Sequence, residues 1–283
     1  MKSNASSYFL LLFFLIYTSG VAQTTAEYPS KKGQLYFFWG WNRAYYSHSD
    51  IHFKGENYDF TLKNVVAKDR QTPIGADPYL QPGKITIPQT NFRIGYYLND
   101  HYEISIGDDH MKYVVAQNQK VKIDGYISNT GTAYDGNYAD QDINLYNDFL
   151  KYEHTDGLNY INIEIRRTDN FSHLFKIKPD AAIQLYSLAG IGTGVLFPRT
   201  NCTLLNNARN DEFHVAGYGF APVAGLNITF FKRIFLQGEL KGGFINLPDV
   251  RTTSSESDKA KQHFFFFQTN FSVGAAFPIT KRK

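Results

Sequence analysis

The sequence predicts an all-β protein: a transmembrane, antiparallel, up-and-down β-barrel of eight strands with long external loops. Three observations carry that reading. Apolar residues recur at every second position through most of the chain, aromatics crowd the short connections, and an apolar leader opens the sequence. Composition narrows the field first. With 43% hydrophobic residues, 20 Tyr and 24 Phe in 283 residues, the chain can bury a core and is not disordered. A single Cys excludes a disulfide scaffold. Beyond the leader no apolar run approaches the roughly 20 residues of a helical span. A formal charge of +3 is close to neutral at this length and argues for no nucleic-acid partner.

Residues 1–22 have the layout of a secretory signal peptide. Lys2 precedes the apolar stretch Tyr8–Tyr17, and Gly20 and Ala22 supply small residues before a cleavage point at Gln23. No Cys stands directly after that point, so no lipid anchor is expected. Residues 23–283 are then one barrel domain, with no convincing linker and no solenoid-like repeat.

Each expected strand shows one apolar and one polar face. Leu35, Phe37, Trp39 and Trp41 alternate with Gln34, Gly40 and Asn42. Phe92, Ile94 and Tyr96 alternate with Arg93 and Gly95, and Ile104 and Ile106 with Glu103, Ser105 and Gly107. Ile161, Ile163 and Ile165 oppose Asn162, Glu164 and Arg166. The same rhythm runs through Ile183–Leu185, Leu226–Phe230, Ile234–Lys241 and Phe267–Val273. A soluble sandwich turns such an apolar face inward; a membrane barrel turns it to lipid. Tyr96, Tyr97, Tyr102, Phe230, Phe231 and Phe235 crowd the tight turns, as interfacial girdles do, and this favours the membrane barrel.

Connection lengths set the orientation. The connections 99–101, 168–173 and 232–233 are short, and the gaps 47–90, 116–156, 198–211 and 248–262 are long. Short periplasmic turns and long external loops are the rule for such barrels. Strands are therefore expected at about 34–46, 90–98, 102–115, 157–167, 174–197, 212–230, 234–247 and 263–279, an even count with both ends periplasmic. Tyr58–Ala67 also alternates, but Pro73, Pro78, Pro82 and Pro88 make the stretch after it a poor membrane strand. Residues 47–89 are read as one external loop with a strand or hairpin in it, and 121–127 as part of another. A ten-stranded barrel is the alternative count.

The leader, the aromatic-rich alternating strands, turns such as Tyr97–Tyr102 and the closing strand Phe264–Phe277 resemble bacterial outer-membrane β-barrel proteins, those of the Bacteroidota in particular. The resemblance implies an outer-membrane location after signal cleavage. It also implies lipid and lipopolysaccharide as surroundings and insertion by the barrel assembly machinery. The chain departs from the pattern at its end: such barrels often finish on an aromatic residue, whereas Pro278 to Lys283 follow Phe277 here.

Two groups of residues are candidates for function. The first is a polar network in the lumen: Arg93, Glu103, Glu164, Arg166, Lys176, Lys178, Asp180, Glu239 and Lys241. Near balance of charge across a barrel this narrow points to ion pairs and a plugged interior, with a narrow solute pore as the alternative. The second is His48-Ser49-Asp50-Ile51-His52 above the first strand. In an extended chain His48, Asp50 and His52 share a face, and Asn42 continues that parity below. They can ligate a divalent metal, with Asp109, His110, Glu212 or His214 adding a ligand, or stand as solvated polar residues. Ser47 or Ser49 with a His and an acid is also the composition of an acyl-transfer site. Asp108–Lys112 is placed near the outer headgroups, with Lys112 free to meet lipopolysaccharide phosphates. Gly190-Ile191-Gly192-Thr193-Gly194 matches no phosphate loop and suits bends or close approach of lumen contents.

The function expected is non-enzymatic: a plugged barrel with a structural or surface-recognition role and no cofactor beyond that candidate metal. The alternatives are an enzyme modifying lipid A at the outer rim and a narrow pore.

Overall fold

The computed structural model describes residues 28–73, 75–79, 81, 83–84, 88–205 and 207–279; the signal segment 1–22 lies outside them. Among the described residues fourteen antiparallel strands form one sheet. Eight of them close into a ring: β1 (Gln34–Tyr46), β5 (Thr90–Tyr97), β6 (Tyr102–Val115), β9 (Leu150–Asn170), β10 (Ile183–Leu204), β12 (Gly217–Phe230), β13 (Ile234–Arg251) and β14 (Lys259–Pro278). Pairing of β14 with β1, from Gln34↔Pro278 to Tyr46↔Phe266, seals it. Eight strands in the ring, not ten, is the observed count.

The register fixes the geometry. Following paired residues from Phe37 through Ile94, Ile106, Ile163, Thr193, Phe220, Phe244 and Phe265 returns to β1 at the level of Ser47. That is a stagger of ten residues (37 to 47). With about 3.3 Å per residue and about 4.8 Å between strands it gives a tilt of roughly 40°. Leu35 to Tyr45 on the outer face of β1 then spans about 25 Å along the axis, the height of a lipid-facing band.

The period-two pattern is realised as expected within that band. Phe37, Ile94, Ile106, Ile163, Ile165, Leu226, Leu240 and Phe271 face outward and are 40–60% exposed. The inward row on the same strands holds Arg93, Glu103, Asn162, Glu164, Arg166, Glu239, Lys241 and Asn270, all buried. The hydrophobic effect would bury those outer rows in any soluble fold, so their exposure fits an apolar solvent.

Above the band the polarity inverts. Inward residues of β6 change from Glu103, Ser105 and Asp109 to Met111, Tyr113 and Val115. Those of β14 change from Ser272, Asn270 and Gln268 to Phe266 and Phe264. The same core continues into strands contributed by the long loops: β2 (Ser49–Lys54), β3 (Tyr58–Val65), β7 (Lys120–Ile127) and β8 (Gly136–Asn144), which extend the sheet from β14 in the order β14-β2-β3-β7-β8. β4 (Ala67–Lys68) pairs with β6, and β11 (Asn210–Phe213) with β10. Water surrounds this part, so its apolar residues must turn inward. The external segments at 58–67 and 121–127 are thus strands of one packed unit.

Several strand limits differ from expectation, among them the start of β12 at Gly217, the end of β13 at Arg251 and the start of β14 at Lys259. The fifth ring strand starts at Ile183, not at 174, because Ser172–Phe175 makes a 3₁₀ turn that Lys176 ends in a left-handed conformation (φ 58°). The fourth and fifth ring strands also continue past the band, to Leu150 and Leu204, where the external core rewards further pairing. Cys202 accordingly lies inside β10, fully buried in that core, and not in an external loop; burial pushes its thiol up and leaves it unreactive.

Candidate functional site

The lumen is filled by charge in layers. At its centre Glu164 accepts from Arg93 Nη2 at 2.8 Å, Arg166 Nε at 2.5 Å and Lys241 Nζ at 2.6 Å. Arg166 Nη1 also donates to Glu239 Oε1 at 2.6 Å, and its Nε stands 3.9 Å from Glu103 Oε1. Tyr36 Oη donates to Glu103 at 2.9 Å. Lys241 Nζ reaches Asp109 Oδ2 at 2.5 Å, and Asn91 and Asn162 donate to the same carboxylate. These acids and bases are 1–5% exposed. Each charge has an opposite partner, the condition for keeping ions away from water.

Room for these side chains comes from the glycine run on β10. Gly190 and Gly192 point into the lumen, where an added Cβ would stand 2.7 Å from Arg166 Cγ and 2.5 Å from Glu164 Cγ respectively. The run is therefore part of the network's wall, the close approach that its composition allowed.

Both ends are closed by aromatics. At the end with the short connections Tyr36, Phe38, Tyr97 and Phe235 form a buried cluster, and Lys31 Nζ lies 3.8 Å from the Tyr186 ring centroid and donates to Tyr97 Oη at 3.2 Å. At the external end Tyr160, Phe266, Tyr113 and Phe264 sit over the Asp109 layer, with Tyr113 and Phe264 stacked at 4.9 Å.

Six of the nine expected lumen residues, Arg93, Glu103, Glu164, Arg166, Glu239 and Lys241, sit in this network. Lys176, Lys178 and Asp180 do not: they are exposed in the connection 171–182. The correction follows from the 3₁₀ turn, which takes them out of the strand and cancels the alternation used to place them. Asp109, Asn91 and Lys31 are further members that sequence reasoning missed as lumen residues, and Asn162, already on the polar face of its strand, joins them. Asp109 carried a signal, since it shares parity with Glu103 on β6; Lys31 carried none.

The external His cluster is organised differently from the expectation. β1 and β2 are separated by a break at Ser47–His48 that reverses parity. Asn42 therefore faces the lumen and bonds Asn91, whereas His48, Asp50 and His52 face solvent. His48 Nδ1 lies 3.0 Å from Asn64 Oδ1, Asp50 Oδ1 accepts from Asn64 N at 2.7 Å, and His52 Nε2 lies 2.7 Å from Asp59 Oδ1. The bond from His52 holds the Asp59 carboxyl below its ordinary range. Among the described residues no three His, Cys, Asp or Glu side chains converge as a ligand set. His110 pairs with Asn159 and His214 with Asp249, away from this face.

Nor are the components of an acyl-transfer site brought together. Ser49 is buried and its Oγ lies 3.2 Å from Tyr113 Oη; Ser47 Oγ donates to His48 O and accepts from Phe265 N. Neither hydroxyl is paired with an imidazole. Lys112, expected to meet lipid phosphates, is buried at 8% exposure.

One imidazole sequence reading overlooked is central to the external core. His154 is fully buried between the Tyr113 and Tyr152 rings, with Nδ1 3.1 Å from Thr200 Oγ1. Burial lowers its pKa to about 3, against 6.5 in the unfolded chain. Unfolded chains therefore take up a proton below pH 6.5 that the folded core refuses. Stability is present above that pH and is lost as pH falls toward 3. Going from pH 7 to pH 5 is expected to cost the external unit about 2 kcal/mol. His154→Gln should flatten that dependence in urea titrations read by protease sensitivity, and an unchanged slope would refute the assignment.

No family model matches this chain, and no curated protein matches it. Among solved structures it is similar to OprG, an outer membrane protein of Pseudomonas aeruginosa, at 10% identity and a TM-score of 0.36, over 87% of this chain and 97% of that one. It is similar to the outer membrane protein AlkL in lipid bilayers at 10% identity and a TM-score of 0.36, over 94% and 99%. It is also similar to Ail, the attachment invasion locus protein of Yersinia pestis, in complex with the heparin analogue sucrose octasulfate, at 10% identity and a TM-score of 0.31, over 87% and 99%.

Proposed function

We propose that this chain is a bacterial outer-membrane β-barrel with a plugged lumen, acting through its external β-structure as a structural or surface-recognition element. The observation that carries the reading is the lumen itself. Its cross-section is occupied by the Arg93–Glu164–Arg166–Glu239–Lys241 network, with an aromatic layer at each end. An eight-stranded ring is only wide enough for side chains to fill it, so such an interior leaves no route for a solute. Outer-membrane lipid and lipopolysaccharide surround the apolar band, and the barrel assembly machinery inserts it. The sheet β14-β2-β3-β7-β8 stands outside the band, where a surface partner can reach it.

The test is conductance. The purified protein reconstituted into a planar bilayer should give no reproducible current steps above the bare membrane. A stable open level in potassium chloride would overturn the plugged reading in favour of a pore.

A further inference from the structure

The apolar outer surface does not end level around the barrel. On the side of β10, β12 and β13 it continues past the strand ends onto the connections 171–182 and 231–233. There Leu174, Phe175 and Phe231 are 65%, 64% and 72% exposed. The two connections are joined, because Phe231 N donates to Ala182 O at 2.7 Å. Three cations, Lys176, Lys178 and Arg233, are exposed in the same connections, and none of them is ion-paired among the described residues. The one acid within these two connections is Asp180, also exposed. Lys232 is set apart: it lines the small cavity at the lumen mouth.

The backbone adds a second observation. Phe231 and Lys176 both hold positive φ, 51° and 58°, where glycine would fit without steric cost. An exposed Phe in that conformation contributes nothing to a core. It gains free energy only if an apolar phase receives it. An apolar wedge rimmed by unpaired cations, continuous with a lipid-facing surface, is the signature of an interfacial contact with anionic lipid.

We propose that this rim binds an anionic phospholipid of the inner leaflet. Phe175 and Phe231 enter the acyl boundary, and Lys176, Lys178 and Arg233 hold the headgroup phosphate. Contact on one side only would set the barrel's tilt in the membrane. The proposal rests on the barrel being embedded in a membrane, and not on what the external sheet recognises.

The test is native mass spectrometry of the full chain in detergent, titrated with phosphatidylglycerol, phosphatidylcholine or lipid A. Phosphatidylglycerol adducts should form at concentrations about tenfold or more below those for phosphatidylcholine. The triple variant Lys176→Gln, Lys178→Gln, Arg233→Gln should lose that preference. Phe231→Gly relieves the backbone, so it should fold and yet bind both phospholipids less. Equal affinity for the two phospholipids, or a preference that survives in the triple variant, would overturn the proposal. So would lipid A outcompeting phosphatidylglycerol at these three cations. A monodisperse protein without detergent would instead refute the membrane reading beneath it.

Discussion

Glu164→Gln is expected to lower the unfolding free energy by about 3 kcal/mol, the effect of removing one partner from a buried ion group. Glu164 receives Arg93, Arg166 and Lys241 at 2.5–2.8 Å, and it is 1% exposed. Glutamine keeps the volume that Gly192 makes room for and removes only the charge. The three cations would then face Glu103, Glu239 and Asp109 alone, in a lumen that water does not solvate. Urea unfolding in lipid vesicles, followed by the fluorescence of Trp39 and Trp41, measures the shift. Lys176→Met provides the contrast, since Lys176 lies in the exposed connection; its effect should stay within about 0.5 kcal/mol. A Glu164 variant as stable as the parent, or a Lys176 variant as damaged as Glu164→Gln, would refute the layered network.

Phe60→Ala is expected to cost about 3–5 kcal/mol, but to spend that loss on the external unit alone. Phe60 is 1% exposed and packs on Phe53, Tyr58 and Phe149 with ring centroids 5.3–5.9 Å apart. None of its contacts reaches the charged layers. The connections at 55–57 and 128–135 should become protease-sensitive, while the barrel keeps its compact migration in unheated detergent gels. Loss of both together would mean that the external sheet and the ring fold as one cooperative body.

Most of the ring was legible because alternation is a local signal. One face of each strand meets lipid and the other meets the lumen, so the chemistry changes at every residue and the strand writes its own orientation. That is why Arg93, Glu103, Glu164, Arg166, Glu239 and Lys241 could be assigned to the interior before any contact was known. The same rule failed where the backbone leaves the strand. Lys176, Lys178 and Asp180 keep an alternating sequence, but the 3₁₀ turn carries them into solvent. It failed again at Ser47–His48, where a break between β1 and β2 reverses parity and separates Asn42 from His48, Asp50 and His52.

The long loops hid more. Residues 49–65 and 120–127 do alternate, but their apolar face looks inward while that of the ring looks outward, and the pattern is the same in both cases. Only the height of a residue relative to the apolar band distinguishes them. That height follows from the stagger of ten residues around the ring, which is a property of all eight pairings together.

By itself, then, the sequence determined the strand periodicity, the short and long ends and the charged character of the interior, and favoured a ring of eight strands over one of ten. These depend on each residue's neighbours along the chain and on the solvent its face must meet. The tertiary structure alone decided which charges touch, that Asp109 belongs with Lys241 and Glu164 with three cations, and that the external strands share one core built around Phe60, Tyr113 and His154. Those choices are made by register and strand tilt, which bring together residues as far apart as Asp109 and Lys241, and no local pattern encodes a pairing across that separation.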